Sequence, residues 1–253
     1  MSTSRAAGPN LGEVLVAASP EEHAALAAEL FARAIQEAVD TRGVARVALS
    51  GGSTPRPAHH RLAEQALPFD KLRVYQVDER AVPPTHPRSN FGALLQDFGV
   101  ALGESDGPTK KGRLHRMRGD APSLAAAAED YARLLRAEFG VASAVAFDVV
   151  GLGIGDDGHT ASLFPRLGVV GIDDRLVIDV PAQPDKGLEP RISFTAPVIC
   201  EARLVVVLVR GAEKRAVIEK ARAAGPEEDV PSRLVQRAKG RVVWLVDRAA
   251  APG

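Results

Sequence analysis

Cysteine is nearly absent from this 253-residue sequence, and neither sign of charge is in excess. Cys200 is the single cysteine, so the chain alone can build neither a disulfide framework nor a cysteine-based metal site. It lies in the apolar stretch TAPVICEARLVVVLV with no activating partner nearby, which favours a buried structural thiol. Lys and Arg together number 32, as do Asp and Glu, so the formal net charge is zero. This balance argues against nucleic-acid or anionic-membrane partners, while a local basic pocket for a small anion is still allowed.

Long hydrophobic runs are also missing. No window approaches 18 uncharged apolar residues, and the opening MSTSRAAGPN lacks the apolar core of a secretion signal. We therefore expect a cytoplasmic protein. No metal-site spacing appears around the adjacent pair His59-His60, so we expect no bound metal. This pair and His23 fall in predicted helices and are expected at the surface.

Short apolar runs alternate with helical patterns along the whole chain. The runs are continuous, as in the strands of a parallel sheet that is covered on both faces. Predicted strands are VARVALS (44–50), LRVYQVDE (72–79), FDVVGLG (147–153), LVIDV (176–180), RISFT (191–195), LVVVLVR (204–210) and RVVWLVD (241–247). Helices are predicted over 20–40, from about residue 55, over 89–98, over 123–139 and after residue 210. Ser19 and Glu22 form a capping box at the start of the first helix, and 103–112 is predicted to be a loop.

These patterns predict an α/β fold with a doubly wound, mostly parallel, Rossmann-like sheet that is flanked by helices on both faces. We expect residues 1–10 to form a flexible arm and residues 11–253 to form a single domain. Residues 165–195 are expected to add a small accessory patch.

Polar or glycine-rich segments follow four of the predicted strands. In open α/β sheets, ligands bind outside the carboxyl ends of the strands. The segments are SGGST, DER, GIGDDGH and RGAEK. Four such segments at one sheet edge indicate a binding site more strongly than any one of them alone.

The stretch VVGLGIGDDGHTASLFP (149–165) has the G-x-G-x-x-G spacing of a dinucleotide-binding turn. The glycines are Gly153, Gly155 and Gly158. Asp156 and Asp157 stand between the last two glycines, where their carboxylates would repel a pyrophosphate, so NAD binding is disfavoured. Two adjacent carboxylates are also weak support for Mg²⁺. We expect the glycines to let the backbone turn sharply so that Asp157 and His159 face a ligand.

His159 is the candidate for chemistry, because functional side chains concentrate in turns at strand ends. A carboxylate that is hydrogen-bonded to one ring nitrogen fixes the tautomer and raises the basicity of the other nitrogen. Asp157 is placed to supply that carboxylate, which would make His159 a general base. The alternative is a histidine that is satisfied in the core or caps a helix.

Small residues after the first predicted strand could surround an anion with N–H groups, a hydroxyl and a helix N-terminus, or could form an ordinary tight turn. They are Ser50, Gly51, Gly52 and Ser53. Arg191 and Lys214 could supply cationic partners, although a solvated surface lysine is the commoner case. Asp78 and Arg80 form either a surface ion pair or the charged groups at the reacting end of a substrate.

Four stretches in order resemble the 6-phosphogluconolactonase family, which is related to glucosamine-6-phosphate deaminase. They are ALSGGSTP, VDERAVPPTHPRSN, VVGLGIGDDGHTASLFP and VVVLVRGAEKR. The resemblance extends from the first helix to the final VVWLVDRAA. It implies hydrolysis of 6-phospho-D-glucono-1,5-lactone in the oxidative pentose phosphate pathway, without metal or organic cofactor. The implied partner is this small phosphosugar lactone, and a monomer or a small homo-oligomer is expected.

The resemblance also implies a role for each candidate residue. His159 would deprotonate a water molecule, Asp157 would orient His159, and Arg80 would lie near the carbonyl oxygen. Asp78 would either transfer a proton or anchor a sugar hydroxyl or Arg80. The phosphate would be held by Ser50, Gly51, Gly52, Ser53, Arg191 and Lys214. Ser162 is expected to be an ordinary helix residue, because no serine nucleophile is required.

Two other functions are alternatives to the lactonase. Sugar-phosphate isomerase-deaminases carry a glutamate five residues after the motif histidine, where this chain has Phe164. A non-catalytic sugar-phosphate sensor usually accompanies a DNA-binding segment, and no such segment is visible here. The presence of both Asp157 and His159 also argues against a sensor.

Overall fold

The structure, a computed structural model, describes residues 9–102, 113–141 and 144–253. Seven of its strands form a wholly parallel sheet in the order β1-β10-β9-β6-β2-β3-β5. A smaller antiparallel sheet has the order β4-β8-β7. The strands are β1 (Glu13–Ala17), β2 (Ala45–Leu49), β3 (Leu72–Gln76), β4 (Asp78–Arg80), β5 (Arg113–His115), β6 (Val149–Leu152), β7 (Val177–Val180), β8 (Arg191–Phe194), β9 (Leu204–Val209) and β10 (Arg241–Asp247).

Helices cover both faces of the large sheet, as predicted for a doubly wound fold. The first three helices share one apolar cluster with one face, and the last three share a second cluster with the other face and the small sheet. They are α1 (Pro20–Arg42), α2 (Arg56–Ala63), α3 (Asn90–Leu102), α4 (Leu124–Phe139), α5 (Ala196–Cys200) and α6 (Arg215–Arg222). Short 3-10 turns cover Phe69–Lys71, Pro184–Lys186, Ala212–Lys214 and Pro231–Arg237.

Local sequence signals account for several of these elements. The predicted cap of α1 is present, since Oγ of Ser19 accepts a hydrogen bond from the backbone N–H of Glu22. All six residues of β9 are buried, which explains its uninterrupted apolar run. Cys200 is buried as predicted, and burial raises the pKa of its thiol to about 12.

The strand order reverses between β2 and β6. Strands β3 and β5 continue outward from β2, whereas β9 and β10 continue outward from β6 on the other side. The loops after β2 and β6 therefore separate and leave a crevice at the carboxyl edge of the sheet, the usual ligand position in this architecture.

The prediction of one strand over 72–79 is wrong, because the chain changes sheets within it. The N–H of Val77 donates to the Leu49 carbonyl at the edge of the large sheet. The Val77 carbonyl accepts from the N–H of Phe194 in the small sheet. No glycine or proline marks this change, so the apolar pattern runs through it.

Other predictions on local structure also need correction. Ser162 lies in a turn and not in a helix, and His23 and His59 are buried and not at the surface. The short elements β1, β5 and α5 were not predicted. The predicted loop 103–112 and residues 1–8 of the predicted arm lie outside the described residues. In the rest of that arm, the side chain of Asn10 donates to two backbone carbonyls near the start of β10. No helix in the described part of the chain is both long and apolar enough to span a membrane.

Glu79 joins the small sheet to α3 through a buried carboxylate. This carboxylate covers the N-terminus of α3, where backbone N–H groups lack helical partners. It accepts hydrogen bonds from the Gln76 and Ser89 side chains and from the backbone N–H groups of Arg80, Asn90 and Phe91. Glu79 therefore fixes the position of the strand that carries Asp78 and Arg80.

We predict that Glu79→Ala lowers the free energy of unfolding by more than about 3 kcal/mol, because each buried donor left unpaired costs about 1–3 kcal/mol. Urea denaturation measures the change. Glu219→Ala, at an exposed position of α6, is the control and should change stability by less than about 0.5 kcal/mol. Equal effects of the two substitutions would contradict the structural role of Glu79.

Candidate active site

A cleft of about 410 Å³ opens at the point where the strand order reverses. Its walls come from the loops after β2, β6 and β9 and from the small sheet. The predicted site residues that line it are Ser50, Gly51, Gly52, Ser53, Asp78, Arg80, His159, Arg191 and Lys214. Asp157 lies beside the cleft and contacts His159. The fold thus brings together residues that are as much as 164 positions apart in sequence (Ser50 to Lys214).

His159 and Asp157 form a direct hydrogen-bonded pair. Nδ1 of His159 lies 2.6 Å from Oδ1 of Asp157, and the same oxygen accepts the backbone N–H of His159 at 3.1 Å. An ionised carboxylate can only accept, so Nδ1 carries the proton and Nε2 of the neutral ring has the free lone pair. This is the tautomer that a general base requires.

The carboxylate of Asp157 is ionised over the whole physiological range. Burial raises its pKa, but the hydrogen bond to His159 and the charge of that residue lower the pKa by a larger amount. The net pKa is about 2. Nζ of Lys186, 3.9 Å from Oδ2, adds to the lowering. Asp157 therefore stays negative and is able to stabilise a protonated imidazole.

Two glycines of the G-x-G-x-x-G spacing allow the close contact between His159 and Asp157. A Cβ atom on Gly155 would lie 2.1 Å from both Nδ1 and Cε1 of His159, so only glycine allows the ring to approach this closely. Gly158 has φ +85°, a left-handed conformation that glycine adopts without strain. The G-x-G-x-x-G spacing thus reflects the packing of a histidine against its own turn.

The loop after β2 forms a cradle with unsatisfied donors. Oγ of Ser50 is buried and has no hydrogen-bond partner within the described residues. The following helix α2 has Pro55 as its N-cap and no side-chain cap. Its second residue, Pro57, has no N–H, and the next two N–H groups donate to the Pro55 carbonyl. The backbone N–H of Arg56 is the donor that is left for another acceptor. Gly51 packs against Asn90, where an added Cβ would lie 1.8 Å from Oδ1.

Asn90 and Ser162 are site residues that the sequence reasoning missed, and both hold Asp78. Nδ2 of Asn90 donates to the Asp78 backbone carbonyl at 2.9 Å and to its Oδ1 at 3.2 Å. Oγ of Ser162 donates to Oδ2 of Asp78 at 2.6 Å. Nη1 of Arg191 lies 3.8 Å from the same oxygen. The SN dipeptide that ends VDERAVPPTHPRSN was the available signal for Asn90.

Two arginines form a positive wall on the small sheet. Arg80 in β4 and Arg191 in β8 occupy facing positions of neighbouring strands. Nη1 of Arg80 donates to the Arg88 carbonyl at 2.6 Å. Burial lowers the pKa of Arg191, and the nearby Asp78 carboxylate raises it again. The sequence left open that Asp78 and Arg80 form a surface ion pair. This alternative is wrong, because Asp78 is buried.

Lys214 lies on the 3-10 turn that follows β9. Its Nζ donates to the Ile154 carbonyl at 3.0 Å and pairs with the Asp156 carboxylate. Only 19% of its side chain is exposed, which disfavours the alternative of a solvated surface lysine. The ammonium group is thereby held at the turn that carries His159.

The cleft therefore combines a hydrogen-bonded histidine–aspartate pair, two arginines and a loop with unsatisfied donors. Among residues 9–102, 113–141 and 144–253, no group of three or more His, Cys, Asp or Glu side chains could hold a metal ion. A second groove, of about 480 Å³, lies between α1 and the amino ends of the central strands. Its four arginines are all paired with carboxylates, so their positive charge is already offset within the groove.

Comparison with known proteins places this cleft in a family. The profile described as glucosamine-6-phosphate isomerases/6-phosphogluconolactonase matches residues 18–244, and the chain belongs to this family. Within it, the chain is 39% identical over 220 residues to 6-phosphogluconolactonase from Synechocystis, covering 85% of this chain and 87% of the relative. The enzyme of the same name from Nostoc is 37% identical over 225 residues, covering 88% and 90%.

A solved structure agrees with these sequence matches. The 6-phosphogluconolactonase of Trypanosoma brucei superposes with a TM-score of 0.82 at 27% identity, covering 95% of this chain and 97% of that one. The doubly wound α/β fold predicted from the sequence is confirmed by this superposition and by the strand order.

We predict that Asp157→Asn destabilises the protein near neutral pH and that the stability difference from wild type shrinks as the solution becomes acidic. The pKa of Asp157 is lowered in the folded protein from 3.8 to about 2, so its contribution is fully present above about pH 4 and is lost as pH falls toward 2. Urea denaturation between pH 7 and pH 3 measures this difference. Asp174→Asn, whose carboxylate is 82% exposed, is the control. A pH-independent difference for Asp157→Asn would contradict the assignment.

Proposed function

We propose that this cleft hydrolyses 6-phospho-D-glucono-1,5-lactone to 6-phospho-D-gluconate, with His159 as the general base. The lactonase activity rests on the family and on relatives of that activity that match most of the chain. The observation that carries the mechanism is the 2.6 Å contact between Asp157 and Nδ1 of His159, which leaves Nε2 free to accept a proton.

The first step forms the nucleophile. Nε2 of His159 takes a proton from a water molecule as the water oxygen attacks the lactone carbonyl carbon. Asp157 stabilises the imidazolium that results, because its carboxylate remains ionised. The carbonyl oxygen becomes an oxyanion, for which Arg80 on the positive wall is the proposed partner.

The second step opens the ring. The tetrahedral intermediate collapses, the bond from the former carbonyl carbon to the ring oxygen breaks, and His159 returns its proton to that oxygen. The product is a carboxylic acid, which ionises and releases one proton into solution. Asp78 transfers no proton in this scheme. Its contacts with Ser162, Asn90 and Arg191 suit an anchor for a sugar hydroxyl and for the arginine wall.

The phosphate is proposed to lie in the cradle after β2. The neutral donors are the backbone of Gly51 and Gly52, the hydroxyls of Ser50 and Ser53 and the N–H of Arg56 at the start of α2. Arg191 and Lys214 add positive charge. Binding the remote phosphate positions the lactone against His159, which is the main contribution that a reactive ester needs from an enzyme.

Phe164 favours the lactonase over an isomerase-deaminase. Its buried ring lies 4.6 Å from the ring of His159, centroid to centroid, at the place where the related deaminases carry a glutamate. A phenyl ring cannot transfer the additional proton that ring-opening isomerisation requires. The neighbourhood of His159 therefore suits a single acid-base group.

The expectations about context stay predictions. They are a cytoplasmic location, a single domain over 11–253, a monomer or small homo-oligomer, no cofactor, and no nucleic-acid or membrane partner.

We predict that His159→Asn lowers kcat for 6-phosphogluconolactone by about 10²–10⁴ and changes KM little, because only the transition state loses the base. Initial rates of acid release at constant pH measure this. His60→Asn, outside the cleft and 54% exposed, is the control. If His159→Asn hydrolyses the lactone at close to the wild-type rate, His159 is not the general base. If the wild type binds the phosphosugar but does not turn it over, the protein is a sugar-phosphate sensor.

For the phosphate contact, Lys214→Ala should raise KM by about tenfold or more with a smaller effect on kcat, because a charged hydrogen bond contributes about 1.5–3 kcal/mol. The same assay with varied substrate separates the two constants. Lys220→Ala, at an exposed position of α6, controls for the loss of one surface charge. An unchanged KM would show that Lys214 does not bind the phosphate.

A further inference from the structure

Arg210 is a cationic residue of the cleft that the proposed function has not used. It follows β9 directly and lines the cleft together with Lys214, four residues further on. Its Nε atom is buried without a hydrogen-bond partner. Within the described chain, its guanidinium makes no hydrogen bond and no ion pair.

The other three cationic side chains of the cleft already have partners. Arg80 donates to a backbone carbonyl, Arg191 lies beside Asp78, and Lys214 pairs with Asp156. Nε of Arg80 and of Arg191 is also buried without a partner, so what distinguishes Arg210 is that none of its guanidinium nitrogens has one within the described chain. A partly buried guanidinium without a partner has lost hydration and gained nothing in return. An anion in the cleft is the group that would restore those interactions.

Three carboxylates on adjoining segments form no ion pair with Arg210 within the described chain. Asp247 accepts hydrogen bonds from the N–H groups of Gly211 and Ala250. Glu213 lies over Gly211, where an added Cβ would be 2.2 Å from its Oε1. Glu21 is fully exposed at the start of α1. Its own backbone N–H and the Ser19 hydroxyl are the main causes that lower its pKa, and Arg210 adds to the effect through space.

A phosphate group matches the position and the donors of Arg210. A phosphate dianion offers three oxygens, and a planar guanidinium binds two of them side by side. The two cations already proposed for the phosphate both lie beside carboxylates: Arg191 is next to Asp78, and Lys214 shares its ammonium group with Asp156. A further cation that no carboxylate offsets within the described chain would complete the neutralisation of the dianion.

We propose that Arg210 is a phosphate-binding residue of this cleft, which pairs with the substrate phosphate alongside Lys214 and sets the preference for a phosphorylated lactone over a neutral one. This inference rests on the proposed function. It adds a residue that neither the motif comparison nor the spacing of the site residues assigned.

The test compares Arg210→Gln with Arg215→Gln, a neighbouring exposed arginine that donates only to backbone carbonyls at the end of the chain. For Arg210→Gln we expect KM for 6-phosphogluconolactone to rise on the order of 10- to 100-fold, the range of one charge-assisted contact. Inhibition by inorganic phosphate should weaken by a similar factor. Hydrolysis of unphosphorylated D-glucono-1,5-lactone and kcat for the phospholactone should stay close to those of Arg215→Gln.

Arg210→Lys provides a second variant that keeps the charge but loses the paired donors, and we expect an intermediate KM. Unchanged phosphate inhibition in Arg210→Gln would overturn the proposal, as would a loss of kcat that is equal for both lactones. Calorimetric titration with inorganic phosphate gives a readout that needs no activity. Absence of lactone hydrolysis by the wild type would contradict the proposed function, whereas the phosphate titration would still decide the role of Arg210.

Discussion

The hydrogen bond between Asp157 and His159 is the contact on which the rest of the site depends. It selects the tautomer of His159, keeps the carboxylate ionised and leaves Nε2 as the nitrogen with a free lone pair. The contact requires a turn so tight that a Cβ on Gly155 would overlap the imidazole ring. Such a turn is available because β6 ends at the reversal of strand order, where the neighbouring loops diverge and leave space above the sheet.

The small antiparallel sheet is the second feature on which the site depends, because it adds charged side chains to the cleft of the α/β fold. Val77 transfers the chain from the large sheet to the small one with no loss of backbone hydrogen bonding. In the three-residue strand that follows, the alternation of side chains separates two tasks. Asp78 and Arg80 line the cleft, whereas Glu79 binds the N-terminus of α3 on the opposite side. One tripeptide thus supplies both functional groups and their structural anchor.

Strands and helices could be predicted from the sequence wherever a local run of residues shows that the segment is buried or capped. The apolar runs in β9 and β10 predicted these strands, and the cap at Ser19 marked the first helix. The change of sheet at Val77 could not be predicted, because the apolar pattern of the sequence continues through it without a turn residue. The edge strand β1 was missed because its partly exposed residues give a weak signal.

The same distinction applies to the site. Residues that follow strand ends in motif segments could be named from the sequence, as His159 and Lys214 were. Asn90 and Ser162 were not named, since their importance comes from contacts with Asp78 that form only in the folded chain. Arg210 stands in the quoted RGAEK segment, but only the structure shows that its Nε is buried without a partner. The hydroxyl of Ser162 meets a carboxylate 84 positions away, and no spacing rule predicts such a contact.

The central claim is that this cleft accelerates the opening of a phosphosugar lactone by base catalysis. The most direct test is acid release from freshly generated 6-phosphogluconolactone, followed at constant pH with and without the purified wild-type protein and in the presence of a chelator. The account predicts a rate that grows in proportion to protein concentration, far exceeds spontaneous hydrolysis and is unchanged by the chelator. A rate equal to the spontaneous one at every protein concentration would contradict it.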